Sequence, residues 1–332
     1  MKNYFKFNLT GKQLLPVWLI FMVLFLIPYG FVQYKIQGFK VPSHDPEAAM
    51  NLLGEMFKWY GAIAILIFIE YAMIFYFVQL GLQAIELKEK SIVFVGKFSK
   101  FLGIIISGFL LTIITIGIYS PWFLTNMYKF FAKHSSYDDA NFEFKGTGGD
   151  LFLIMLFTII IPMLFLFFII MIIAFIIGIR GGMSQPNLNP MITAYAMIVV
   201  LIIMLVMIPY LYYTYKWRFN FTVKQYTIQW ETSFWNAAGK IAGELALSLI
   251  KFGIYAPLAT LKLFKYFSEH TIATSADHTK KFGYNIEPVN DFAFLWGQNL
   301  LVIITLGVYF PWAACKTADR VLSKTYVEEV TA

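Results

Sequence analysis

Long apolar runs with hardly a charge constrain this chain more than any other feature. Leu151–Gly178 contains no charged residue, and Leu14–Val32, Trp59–Gly81 and Met191–Tyr213 are almost as apolar. About 20 apolar residues are enough to cross a hydrocarbon core of about 30 Å. Only 14% of the 332 residues are charged and 59% are apolar, whereas soluble domains carry about 25% charged residues. The sequence therefore excludes an ordinary soluble enzyme and predicts a membrane protein with four long transmembrane helices.

Three further apolar segments are interrupted by one motif, Gly-x-Tyr-x-Pro. They are Phe101–Phe131, Ile241–Phe267 and Phe292–Ala314. Glycine permits a turn, and proline is tolerated in the first turn of the helix that follows. The motif therefore predicts that each segment is a helical hairpin, either short or re-entrant. The motif residues are Gly117, Tyr119, Pro121, Trp122, Gly253, Tyr255, Pro257, Gly307, Tyr309, Pro311 and Trp312.

The distribution of basic residues supports these hairpins. If every apolar segment crossed once, lysines and arginines would divide almost evenly between the two faces, 12 against 13. With hairpins, 21 lie on one face and four on the other, leaving out Lys251 inside a hairpin. Cytoplasmic loops are enriched in lysine and arginine. We therefore expect both termini to be cytoplasmic, and the net charge of +7 reflects topology and gives no sign of nucleic-acid binding.

Repeated patterns divide the chain into units. An aromatic alternation followed by a glycine turn occurs at Phe5–Leu14 and again at Phe142–Leu151. Constant spacings between such patterns and the Gly-x-Tyr-x-Pro motifs predict two homologous halves, 5–141 and 142–281, and an extra short unit, 282–332. We predict an all-α polytopic membrane fold with four long transmembrane helices and three helical hairpins, joined by short cytoplasmic strands or loops.

The motifs also resemble those of a known family. The run Leu111–Trp122, with its Gly-Ile-Tyr-Ser-Pro-Trp ending, and the run Phe142–Phe152 resemble the YjgN-like family of bacterial inner-membrane proteins. That family is a domain of unknown function. The resemblance therefore implies a bacterial inner-membrane location and no established activity.

Charges inside apolar segments are the candidate functional residues, because a charge at mid-bilayer costs several kcal/mol. Glu70 lies in the second long segment, whereas Glu244 and Lys251 lie seven residues apart in the second hairpin. These three side chains could form an intramembrane substrate or proton site. Alternatively, Glu244 lies at the cytoplasmic interface and Lys251 snorkels or pairs locally.

Other chemistry is poorly represented in the sequence. No protease, hydrolase or nucleotide-binding motif is present, so no catalytic residue, metal site or cofactor is predicted, and the single cysteine, Cys315, has no disulfide partner. We expect a non-enzymatic protein that transports or handles lipids or small molecules through a cavity between the repeat halves. The alternative is an accessory subunit of a membrane complex. The expected partners are membrane lipids and, in the alternative, another membrane protein.

Overall fold

The computed structural model describes residues 2–39, 46–181 and 188–330. The helices are α1 Gly11–Phe21, α2 Ile27–Gln37, α3 Pro46–Gln83, α4 Phe98–Ile114, α5 Ser120–Lys133, α6 Gly148–Met155, α7 Ile161–Gly181, α8 Leu188–Arg218, α9 Phe234–Ile250, α10 Ala256–Glu269, α11 Pro288–Ile304 and α12 Phe310–Leu322. The strands are β1 Lys2–Phe7, β2 Ile85–Leu87, β3 Lys90–Ser91, β4 Val93–Phe94, β5 Ser135–Tyr137, β6 Ala140–Phe144, β7 Phe221–Val223, β8 Tyr226–Trp230, β9 Thr271–Thr274, β10 Thr279–Tyr284 and β11 Thr325–Val330.

The prediction of an all-α fold is wrong, because these short strands form one antiparallel sheet. Its order is β3-β2-β1-β11-β10-β9-β8-β7-β6-β5-β4. The two edge strands are separated by Ile92 alone, so the segment 90–94 pairs with β2 at its start and with β5 at its end. The sheet therefore curves into a nearly closed barrel. Its pairings join distant parts of the chain, such as Lys2 with Glu328, which local sequence patterns do not show.

Five helical units leave the barrel and return to it. In chain order they are α1–α3, α4–α5, α6–α8, α9–α10 and α11–α12, each inserted between two strands. Because neighbouring strands are antiparallel, every helical unit starts and ends at one end of the barrel, and the tight β-turns lie at the other end. Successive units pack against each other, and α12 packs against α1. The helices thus form a ring above one end of the barrel.

Three helices in the described part of the chain are long and apolar enough to cross a membrane, rather than the four that the sequence predicted. They are Gly11–Gln37, Pro46–Gln83 and Gly148–Ile172. The first and third pass through a π-helical turn, Met22–Leu26 and Leu156–Ile160. A proline follows each turn by two residues and cannot donate the helical hydrogen bond, which explains the local widening. The fourth predicted segment, Met191–Tyr213, lies within α8, but many of its side chains are outside the described residues.

The three predicted hairpins are α4–α5, α9–α10 and α11–α12. Their first arms each have 17 residues, so each spans about 25 Å at 1.5 Å per residue. The boundaries predicted between the repeat units fall inside strands β6 and β10. All units therefore contribute to one barrel, and their origin by repetition stays a prediction.

Candidate functional site: the barrel interior

The inside of the barrel contains two neighbouring cavities of about 640 Å³ each, which share six lining residues. Side chains alternate between the two faces of a strand. In β1, for example, Phe5 is half-buried, whereas its neighbours Tyr4 and Lys6 are exposed. The aromatic alternation recognised in the sequence therefore turns one row of side chains into the barrel.

The two cavities meet at an apolar waist. Six side chains line both cavities, and five of them come from different strand segments around the barrel. The rings of Phe5 and Phe282, on strands that both pair with β11, lie nearly parallel on one side of the waist with centroids 6.5 Å apart. No polar side chain belongs to the shared set, so nothing at the waist forms hydrogen bonds to a solute. The waist residues are Phe5, Ile92, Phe142, Ile228, Phe282 and Leu322.

The cavity on the helix side, which we call the inner chamber, is almost entirely apolar. The returning helices supply most of its wall, including Val78 of α3, Met127 of α5 and Phe264 of α10. Two of its hydroxyl groups bond to nearby backbone carbonyls: Ser135 donates to the Phe131 carbonyl at 2.7 Å and Thr271 donates to the Phe267 carbonyl at 2.8 Å. The inner chamber therefore favours hydrocarbon over water.

The cavity at the β-turn end, which we call the mouth, carries charged groups. Its polar lining residues are Asn3, Lys88, Tyr137, Asp138, Lys224, Gln225, Tyr226, Lys280 and Glu329. Lys88, Asp138 and Lys224 lie in tight turns with positive φ, which closely spaced antiparallel strands require. Strand pairing and turn geometry thus bring residues from four separate hairpins to one opening.

Asp138 connects three of these hairpins. Its carboxylate accepts hydrogen bonds from the ammonium groups of Lys90 and Lys224, which lie on either side of it in neighbouring hairpins. These two bonds lower the pKa of Asp138 to about 2, so the carboxylate is ionised at physiological pH. On strands β8 and β10, which flank β9, the Lys280 ammonium lies 4.0 Å from the Tyr226 ring centroid, and its hydrogen bond lowers the pKa of the Tyr226 hydroxyl.

Two of the three predicted intramembrane charges lie together in the second hairpin. Glu244 is buried, accepts a hydrogen bond from Lys240 at 2.8 Å and accepts another from the Tyr255 hydroxyl at 2.9 Å. Lys262 donates to the same hydroxyl at 2.8 Å. The Lys251 ammonium lies 4.9 Å from the Tyr255 ring centroid. The arrangement joins the two arms of the hairpin through charged groups.

Glu70 does not join this cluster. It is exposed on α3, which packs against α1, α2 and α4, whereas the helix of Glu244 packs against α8 and α10. None of the three residues lines either cavity. A role for Glu70, Glu244 and Lys251 in binding stays a prediction.

The Gly-x-Tyr-x-Pro residues build the hairpin turns. The turn glycines have φ of +89°, +77° and +88° at Gly117, Gly253 and Gly307, a region that only glycine adopts freely. The prolines Pro121, Pro257 and Pro311 each lie in the first turn of the returning helix. This part of the motif is therefore explained by backbone geometry.

The tryptophan of the motif packs against a neighbouring unit. A Cβ atom added to Gly148 would lie 2.4 Å from Trp122, and one added to Gly11 would lie 2.5 Å from Trp312. The second hairpin has Leu258 in place of tryptophan, and the helix that follows it begins with Pro288. The tryptophan thus occurs where the next unit begins with a glycine that leaves room for it.

The mouth residues were missed by the sequence analysis, as was Asp291, whose carboxylate is fully buried. Asp291 accepts hydrogen bonds from Arg320 at 2.7 Å and from Lys324 at 2.6 Å. The sequence signals that could have revealed the mouth were the charged two-residue turns, Lys88–Glu89 and Asp138–Asp139. Each lies between segments of alternating apolar residues, which is typical of a β-hairpin.

The comparisons with known proteins agree with the family resemblance. The pattern of a family described as bacterial protein of unknown function (DUF898) matches residues 2–287. Inner membrane protein YjgN of Salmonella typhimurium is 38% identical over 71 residues, which cover 21% of this chain and 18% of that relative. No solved structure matches the chain. Because the family pattern covers most of its length, this chain belongs to the DUF898 family of bacterial proteins of unknown function.

Proposed function

We propose that this protein binds the hydrocarbon chain of an amphipathic molecule inside the barrel, without catalysing a reaction on it. The observation that carries the proposal is the pair of cavities that share the apolar waist, and the proposed passage runs from the mouth through this waist to the inner chamber. Each cavity, at about 640 Å³, is within the range of about 300–1,000 Å³ that is typical of small-molecule sites. The passage lies inside the shared barrel and not, as the sequence suggested, between two repeat halves.

The orientation in the membrane is part of the proposal. All helical units emerge from one end of the barrel, so the barrel lies on one side of the membrane. The basic residues concentrate in the segments that connect the helical units, on this same side. We therefore place the barrel and both termini in the cytoplasm of a bacterial cell. The three long apolar helices, Gly11–Gln37, Pro46–Gln83 and Gly148–Ile172, then lie across the inner membrane. The mouth then faces the cytoplasm and the inner chamber faces the membrane, so a hydrocarbon chain enters through the mouth and the waist and reaches the inner chamber from the cytoplasmic side.

The hairpin tips support the insertion of the short helices. The residue before each turn glycine is Ile116, Phe252 or Leu306, and these are 93%, 94% and 87% exposed. Each has a positive φ of about 50°, which is unusual for bulky residues. Large apolar side chains at the ends of helical hairpins are favourable in hydrocarbon and unfavourable in water, so we place the three tips in the bilayer.

Photocrosslinking in lipid nanodiscs tests the binding site directly. The probe is a long-chain alcohol with a diazirine near the end of its chain, and crosslinked residues are identified by mass spectrometry. We expect crosslinks to inner-chamber residues such as Met127 and Phe264. Crosslinks confined to the outer, lipid-facing surfaces of the helices would contradict the proposal.

A pair of variants on β8 provides the matched control. Ile228→Trp narrows the waist and is expected to abolish the inner-chamber crosslinks, whereas Gln229→Trp adds the same ring on the outer face of the same strand and is expected to leave them unchanged. Ile228→Ala, which keeps the waist open, is expected to retain them. Thermal unfolding establishes that both variants are folded. Equal labelling of folded Ile228→Trp and folded Gln229→Trp would contradict the proposal.

A further inference from the structure

We infer that the mouth selects amphipathic molecules with an anionic headgroup, a carboxylate or a phosphate; this inference rests on the proposed function. Three of its lining side chains are ammonium groups, on Lys88, Lys224 and Lys280. Two are carboxylates, on Asp138 and Glu329. The carboxylate of Asp138 also pairs with the ammonium group of Lys90. The opening therefore holds more ammonium groups than carboxylates.

The positions of these charges suit a headgroup whose chain points inward. Lys280 and the waist residue Phe282 are two residues apart on β10, so their side chains lie on the same inner face of the strand. Tyr226 and Ile228 are related in the same way on β8. A molecule with its chain through the waist therefore has its polar end beside Lys280 and Tyr226.

The pairing in the mouth leaves ammonium groups available. Lys88 makes no ion pair within the described part of the chain. The distance from Lys280 to its carboxylate neighbour Glu329 is 3.8 Å, which is long for a hydrogen bond. Asp138 holds Lys90 and Lys224 close together, where an incoming anion meets both. Hydrogen bonds between an ammonium group and an anion are stronger than neutral ones.

The test compares two photocrosslinking probes that share a chain and a diazirine and differ only in the headgroup, a carboxylate or an alcohol. In nanodiscs of neutral lipid, we expect the acid to half-saturate crosslinking at a concentration about tenfold below that of the alcohol, since charge-assisted hydrogen bonds contribute about this factor. Equal concentrations for the two probes would overturn the inference and leave the proposed function standing. Failure of both probes would overturn the proposed function itself.

Adjacent lysines on β10 give the matched control. Lys280 lines the mouth, whereas Lys281, the next residue, is exposed on the outer face. We expect Lys280→Gln, and more strongly the double variant Lys224→Gln/Lys280→Gln, to remove the preference for the acid and to leave the alcohol unaffected. Lys281→Gln loses the same charge and is expected to keep the preference. An equal effect of Lys280→Gln and Lys281→Gln would overturn the inference.

Free anions are distinguished from lipid headgroups by competition. Inorganic phosphate is added during crosslinking with the acid probe, with chloride at matched ionic strength as the reference. If the site takes a headgroup tethered to a chain, phosphate displaces no more probe than chloride does. The inference would be overturned in favour of a free-anion site if phosphate displaced the acid probe while chloride did not, and if the Ile228→Trp waist variant left crosslinking of that probe unchanged.

Discussion

The second short hairpin differs from the first and third in what holds its arms together. In the first and third, the hydroxyl groups of Thr115 and Thr305 accept a hydrogen bond at 3.0 Å from the backbone N–H of the motif tyrosine. In the second, Lys251 occupies that position, and an ammonium group cannot accept a hydrogen bond. The turn is therefore stabilised by a local threonine cap in the first and third hairpins, and the second hairpin has the charged network around Glu244 instead.

This difference separates the shared geometry of the hairpins from what is particular to one of them. Turn glycines and prolines occur in all three because the backbone requires them. The buried Glu244–Lys240 pair and Lys251 occur in the second hairpin only, so the turn itself does not need them. Four substitutions, taken from the largest expected effect to the smallest, examine this distinction.

Glu244→Leu is expected to lower the free energy of unfolding most, by about 3 kcal/mol, because it leaves the Lys240 ammonium and the buried Tyr255 hydroxyl without an acceptor. The control is Gln298→Leu in the third hairpin. Gln298 precedes the turn glycine Gly307 by as many residues as Glu244 precedes Gly253. Its Oε1 atom is buried and has no hydrogen-bond partner among the described residues, so its loss is expected to be neutral or stabilising. Equilibrium unfolding in detergent micelles measures both variants, and similar losses would contradict the distinction.

Gly148→Ala is expected to lower the free energy of unfolding by about 2 kcal/mol through overpacking. The added methyl group would lie 2.9 Å from the Cα atom of Trp122, and backbone does not move aside easily. Gly149→Ala is the control, because its nearest heavy atom would be 3.8 Å away. Trp122→Leu, which copies the second hairpin, is expected to reduce the cost of Gly148→Ala in a double-mutant cycle; strict additivity would show that the two residues do not interact.

Tyr255→Phe is expected to cost about 1.5 kcal/mol, since its hydroxyl links Glu244 and Lys262 in a buried position. The corresponding Tyr309 receives a single hydrogen bond from Lys316, at 2.9 Å and in an exposed position. Tyr309→Phe is therefore expected to cost less than half as much. Thermal unfolding of the two variants under the same conditions decides the order, and a larger loss for Tyr309→Phe would reverse it.

Lys251→Thr is expected to have the smallest effect, a gain of about 0.5 kcal/mol, because it restores the hydroxyl cap of the other two hairpins. The reverse substitution, Thr115→Lys, is expected to destabilise the first hairpin. A gain at position 251 would indicate that the native lysine serves a purpose other than stability. A loss would place Lys251 among the structural residues of the second hairpin.

The sequence predicted several features of the fold correctly. The three helical hairpins, the turn glycines and the prolines in the first turn follow from local rules, as does the membrane location from the apolar runs. The prediction of four long spans and an all-α fold is wrong, because strands of two to six residues were assigned as mere connections. Short segments have little local preference of their own, and only pairing with distant strands makes them a sheet.

The sequence by itself determined that this is a membrane protein, where helices turn and which family the chain belongs to. It did so because hydropathy, proline and glycine act through near neighbours. Tertiary structure alone decided that Phe5, Phe142 and Phe282 meet at one waist and that Lys224, Asp138 and Lys280 meet at one mouth. These residues belong to hairpins far apart in the chain, and the closure of the barrel, which requires all eleven strands, is what brings them together.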